Sequence, residues 1–113
     1  MRRSHELLLA GYLLARRTQA DGAPPAALGC RGWNDAYDRF VGLAEGRTPQ
    51  GFRNSLRNTR DQADAILRTT RRGWHHPDGT PAVGPAITEI HQSLARTSDA
   101  ELDALLRRLA RNN

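Results

Sequence analysis

The sequence contains no lysine: all 17 of its Lys-or-Arg positions are arginine. GC-rich coding explains that as readily as selection for guanidinium chemistry, so the arginine count alone carries no functional weight. A single cysteine, Cys30, excludes an intrachain disulfide and a cysteine-ligated zinc site, and it fits a reducing cytoplasm. No apolar run is long enough to cross a bilayer. The stretch Leu7 to Ala15 falls far short of the roughly 20 residues a spanning helix needs. Arg2-Arg3 ahead of it imitates the start of a secretion signal. His5 and Glu6 interrupt the approach, however, Arg16-Arg17 follow at once, and no small-x-small cleavage site appears. This stretch therefore reads as a core helix, and no membrane partner is expected. Internal repeats and low-complexity tracts are absent too.

Catalytic signatures are equally scarce. There is no glycine-rich phosphate loop, and no Ser–His–Asp or Cys–His arrangement with a local signature. His75 and His76, near Asp78, are adjacent loop residues without an i,i+4 partner or a cysteine, a weak basis for a metal site. His5 and His91 are isolated, and Glu89 and His91 stand two apart on a helix and so face different ways. No acidic cluster is present to hold a catalytic metal. The sequence thus supplies no catalytic residue and calls for no cofactor or metal.

What is present is helical periodicity. The length of 113 residues suits one domain with a modest core. The pattern predicts an all-α fold, a compact bundle of about five helices. The first runs from about Ser4, a good cap, to Thr18, with Leu8, Leu9, Tyr12, Leu13 and Ala15 giving it a broad apolar side. Asp21-Gly22-Ala23-Pro24-Pro25 ends it, and a short helical turn at Pro25 to Leu28 can follow. The second starts near Trp33 or Asn34 and runs to Glu45, with Gly46 as a left-handed cap. Trp33, Tyr37 and Phe40 recur there at helical spacing and read as core rather than as a base-stacking platform. After the third helix, residues 69 to 84 are irregular. Trp74 reads as a plug at the edge of the core, and Pro77-Asp78-Gly79-Thr80 is a turn signal that allows a short hairpin near residue 78. The fourth helix runs from about Pro85 to Ala95. The fifth opens on the capping box Ser98-Asp99-Ala100-Glu101 and carries a stripe of Leu102, Leu105, Leu106 and Leu109.

The third helix, residues 49 to 68, is the functional focus. Thr48 is a good N-cap and Pro49 a good first residue, since proline has no N–H to lose there. Phe52, Leu56, Thr59, Ala63, Ile66 and Leu67 alternate at steps of four and three and fall within about 100° of arc. Gln50, Arg53, Asn54, Arg57, Asn58 and Arg60 are assigned to the opposite side. Arg47 to Arg72 holds seven arginines and two acids, while the rest of the chain has ten of each. The whole formal charge of +5 is therefore gathered in one segment. Concentrated basicity of this kind points to a polyanionic partner. An ordinary solvated face, with Arg57–Asp61 and Arg60–Asp64 as i,i+4 pairs, is the plainer alternative. The short connection Gly46-Arg47-Thr48 between the second and third helices matches a helix-turn-helix layout, with Gly42 where a small residue is expected. Gly51 early in the third helix is unfavourable by up to about 1 kcal/mol relative to alanine.

The expected partner is double-stranded DNA. Gln50, Arg53, Asn54 and Arg57 would reach base edges or phosphates, since arginine suits guanine and asparagine suits adenine. Asn58 belongs to the same set. Arg47, Arg60, Arg68, Arg71 and Arg72 would hold backbone phosphates. The rival expectation is a protein-interaction or dimerisation domain built on the leucine-rich C-terminal helices.

Three segments, taken together, resemble a known family. They are Gly32-Trp33-Asn34-Asp35-Ala36-Tyr37-Asp38-Arg39-Phe40; Gly46-Arg47-Thr48-Pro49 with Phe52-Arg53-Asn54-Ser55-Leu56-Arg57-Asn58 and Arg60-Asp61; and Arg71-Arg72-Gly73-Trp74. They resemble the small helical N-terminal domain that precedes the HNH nuclease domain in McrA-like, modification-dependent restriction endonucleases. The resemblance covers roughly residues 28 to 76. It implies a DNA-binding accessory head in a bacterial restriction system that defends against phage, with a C-terminal nuclease domain as neighbour. The nuclease signature itself is absent here, so the chain would be a fragment or a free-standing relative. The matching positions Arg53, Asn54, Arg57, Asn58 and Arg60 are then candidate DNA contacts.

Overall fold

Ser4 Oγ accepts the Leu7 amide at 3.2 Å and so starts helix α1, His5–Arg16. In the computed structural model, which describes residues 4–67 and 84–111, this helix is the axis of the core. Leu7, Ala10, Tyr12, Leu13, Leu14 and Ala15 are all buried, so α1 is enclosed on most of its circumference. Helices α2 (Trp33–Asp38), α3 (Pro49–Leu67), α4 (Pro85–Leu94) and α5 (Asp99–Arg111) complete the described helical architecture, with single 3-10 turns at Ala26–Leu28 and Val41–Leu43. The fold is all-α, with five helices and no strand among the described residues. The expected hairpin near residue 78, and Trp74, His75 and His76, lie outside them.

Helix α3 packs on α1, α2 packs on α3, and α4 and α5 close the other sides of α1. Gly11 on α1 faces Thr59 on α3 at close range. A β-carbon placed there would stand 2.4 Å from Thr59 Cγ2 and 2.6 Å from Thr59 Cβ. Glycine is therefore what lets the two backbones approach. Thr59 is itself fully buried and satisfies its hydroxyl by donating to Ser55 O at 2.8 Å.

Two polar staples fix the far end of α1. Arg16 Nη1 donates to Tyr12 Oη at 2.8 Å and to Leu94 O at 2.9 Å, and its Nη2 reaches Ala95 O at 3.4 Å. A guanidinium thus serves carbonyls at the C-terminus of α4, where positive charge is favoured. Tyr12 Oη also lies 2.9 Å from His91 Nδ1. Arg17 grips Asp103 on α5 through two bonds, Nε at 2.8 Å and Nη2 at 3.3 Å, and sits 3.3 Å from Asp99. The Asp103 hydrogen bonds hold the Arg17 pKa above its ordinary value, against the opposing effect of burial.

The second helix is shorter than the pattern predicts. It ends at Asp38, and a 3-10 turn at Val41–Leu43 replaces the expected continuation to Glu45. Gly42 weakens helical propensity in that segment. Phe40 is fully buried at this break, and Val41 just beyond it is about half exposed. Gly46 does take the left-handed conformation at φ 84°, and Glu45 joins it at φ 53°. The connection from α2 to α3 therefore spans residues 39–48 rather than three residues. The first and fourth helices match their expected spans to within two residues, the fifth opens where its capping box predicts, and Ser98 Oγ accepts the Glu101 amide at 3.3 Å as a cap should.

Candidate nucleic-acid interface

Helix α3 begins as its sequence dictates. Thr48 Oγ1 accepts the Gly51 amide at 3.1 Å, and Pro49 takes the first helical position. A β-carbon at Gly51 would stand 3.0 Å from the same hydroxyl. Downstream, Phe52, Leu56, Thr59 and Ala63 are buried, and Ile66 and Leu67 are half-buried, so the apolar stripe packs inward.

The polar residues divide into two groups. At about 100° per residue, Arg60 and Arg53 stand only about 80° and 100° from Phe52, on a flank of the helix. There the side chains of α2 capture them. Arg53 Nε and Nη2 donate to Asp38 Oδ1 and Oδ2 at 2.8 and 2.6 Å, a fork-to-fork pair. The Arg53 hydrogen bonds hold the Asp38 carboxyl below its ordinary pKa, outweighing the slight effect of burial. The guanidinium of Arg60 lies 3.7 Å from the Trp33 ring centroid and 5.9 Å from that of Tyr37. Its Nε and Nη1 are buried with no hydrogen-bond partner among the described residues, and the aromatic face is what they meet instead. The placement of Arg60 on the outward side of the helix is thus corrected. The wheel puts it close to Leu67, and the half-buried Trp33 draws it in.

Gln50, Asn54 and Arg57 lie farther round, about 140° to 200° from Phe52. They form a connected ladder. Gln50 Nε2 donates to Asn54 Oδ1 at 3.1 Å, and Arg57 Nη2 donates to the same oxygen at 3.0 Å. Gln50 and Arg57 are exposed, while Asn54 and Asn58 are half-buried. One acceptor thus orders a donor on each side of it. The Asn54 amide, the Gln50 carbonyl and the other Arg57 N–H groups make no bond within the ladder.

The ridge is short. Ala63, Asp64 and Ala65 are buried in succession, so burial extends over about 200° of α3 by its fifth turn. Arg47, expected to hold a phosphate, has a side chain only 7% exposed. Its Nη1 donates to Ala44 O at 3.1 Å and lies 3.9 Å from the Glu45 carboxylate, so it ties down the turn that delivers the chain into α3. Arg68, Arg71 and Arg72 lie outside the described residues. Of the expected contact set, the fold brings Gln50, Asn54, Arg57 and Asn58 together on the outer ridge, with Arg53 beside them under an acid clamp. Asp38 and Trp33 are the partners that sequence reasoning missed. Both lie far from α3 along the chain, and no spacing rule links them to it.

Among the described residues no three His, Cys, Asp or Glu side chains converge to hold a metal ion, and no helix is long and apolar enough to cross a membrane. No family model, curated protein or solved structure matches the chain.

Proposed function

We propose that the chain is a duplex-DNA-binding module that docks by the outer ridge of α3. The observation that carries this is the Gln50–Asn54–Arg57 ladder: three exposed or half-buried polar side chains, held in fixed relation on one face of a helix whose opposite face is anchored in the core. Preordered amide and guanidinium donors are the groups that read base edges and grip phosphates, and fixing them beforehand lowers the entropy lost on docking. No acid occurs from Gln50 to Asn58, and the segment 47–72 holds the net charge of the chain. The contact set proposed is Gln50, Asn54, Arg57 and Asn58, with Arg53 recruited if its clamp opens. Arg47 and Arg60 act instead as positioning residues that hold the ends of the ridge in place.

By its resemblance to the head domains of modification-dependent HNH endonucleases, the module would serve a bacterial restriction system, delivering a nuclease domain to DNA. The test is fluorescence anisotropy with a labelled duplex at several salt concentrations. Asn54→Ala with Arg57→Ala should weaken binding at least about tenfold, and losing the one arginine should lower the salt slope by about one unit. A double variant that binds as tightly as the wild type, with the same slope, refutes the proposal.

A further inference from the structure

The outer flank of α5 carries a pattern complementary to itself. Glu101, Ala104, Leu105 and Arg108 follow at i, i+3, i+4 and i+7 and form one stripe. It runs beside the core stripe of Leu102 and Leu106, both fully buried. The outer stripe walls a groove of about 290 Å³ that Leu94 and Thr97 close on the other side. Leu94 and Leu105 also wall a second groove, of about 370 Å³, which continues past Ile90 to Leu9 on α1. The two grooves share that pair of leucines and form one trough. Glu101 and Arg108 are exposed at its edge, and neither enters an ion pair among the described residues.

We infer that this flank is an interface between two copies of the chain, related by a two-fold axis that passes between Ala104 and Leu105, with α5 antiparallel to its mate. In that register Glu101 faces the second copy's Arg108, and the symmetry repeats the pair on the other side of the axis. Ala104 faces Leu105 of the other copy. The small side chain admits close approach, and each leucine passes over it into the apolar trough. A parallel pairing would set glutamate against glutamate and arginine against arginine. The order of charges along the stripe therefore selects the antiparallel arrangement and selects a second copy as the occupant, because the complement that the stripe requires is the stripe itself.

The inference is independent of DNA binding and is tested without it. Sedimentation velocity over a range of protein concentrations should show the wild type passing from monomer to dimer. Glu101→Arg and Arg108→Glu each bring like charges together across the axis and should each weaken self-association at least about tenfold. An equimolar mixture of the two variants should recover it, because each then presents the charge the other lacks. Leu105→Glu should remain monomeric throughout. Recovery in the mixture separates a broken interface from a misfolded variant. A wild type that stays monomeric at every concentration overturns the proposal. So do single variants that associate like the wild type, or a mixture no better than its components.

Discussion

Replacing Gly11 by alanine tests the packing on which the α3 ridge depends. An added β-carbon would meet Thr59 Cγ2 at 2.4 Å and Thr59 Cβ at 2.6 Å, with the Arg60 backbone nitrogen at 3.4 Å. Carbon atoms rest at about 3.5 to 4.0 Å, so the two helices must separate locally by about 1 Å or more. Thr59 cannot relieve this by changing rotamer, because one of the clashing atoms is its own β-carbon. Overpacking of this kind costs about 1 to 3 kcal/mol, and a clash close to the backbone belongs at the upper end. Alanine in mid-helix recovers about 1 kcal/mol of propensity relative to glycine. The expected net loss is about 2 kcal/mol, or about 10 °C in Tm for a domain of this size. Urea unfolding followed by far-UV circular dichroism measures it. A double-mutant cycle with Thr59→Gly should show the two substitutions costing less together than their sum, because the second removes the atoms that the first strikes. If Gly11→Ala is as stable as the wild type or more so, helix propensity has won and the close crossing does not exist.

Three further outcomes follow from the polar geometry. Asp38→Asn should tighten duplex binding and steepen its salt dependence, since it releases Arg53 to the ridge and removes a carboxylate that repels phosphate; unchanged affinity in anisotropy would mean that Arg53 takes no part. The same substitution should flatten the acid limb of the stability profile. Because Arg53 lowers the Asp38 pKa in the folded state, the contribution of this pair is present above about pH 4, the ordinary value for aspartate, and is lost as pH falls through the depressed value. Both partners are partly exposed, so salt should diminish the effect, and a denaturation series against pH in low and high salt checks both statements. Tyr12→Phe should cost about 1 to 2 kcal/mol in chemical denaturation, because it removes the buried hydroxyl that links Arg16 and His91 and leaves the ring nitrogen without that partner.

Much of this architecture was legible in the order of residues. Apolar spacing along a single helix is a local property, so the stripe from Phe52 to Ala63 could be read directly, as could the caps at Ser4, Thr48 and Ser98. The break after Asp38 was not legible, since Ala36, Tyr37 and Phe40 keep helical spacing across it and Gly42 is the one weak helix former in the segment. The burial of Asp64 and Ala65 was not legible either. A wheel describes one helix in isolation and has no knowledge of how many neighbours surround each turn.

The arginines draw the same line most clearly. Composition and spacing determined by themselves that this chain is helical, that its net charge is gathered around the third helix, and which face of that helix goes inside. Only the tertiary structure decided what each guanidinium does. An arginine side chain is long enough to reach a neighbouring helix, and a carboxylate or aromatic ring waiting there competes with solvent for it. Asp38 therefore holds Arg53, Trp33 holds Arg60, and the carbonyl of Ala44 holds Arg47, while Arg57 remains outside beside Asn54.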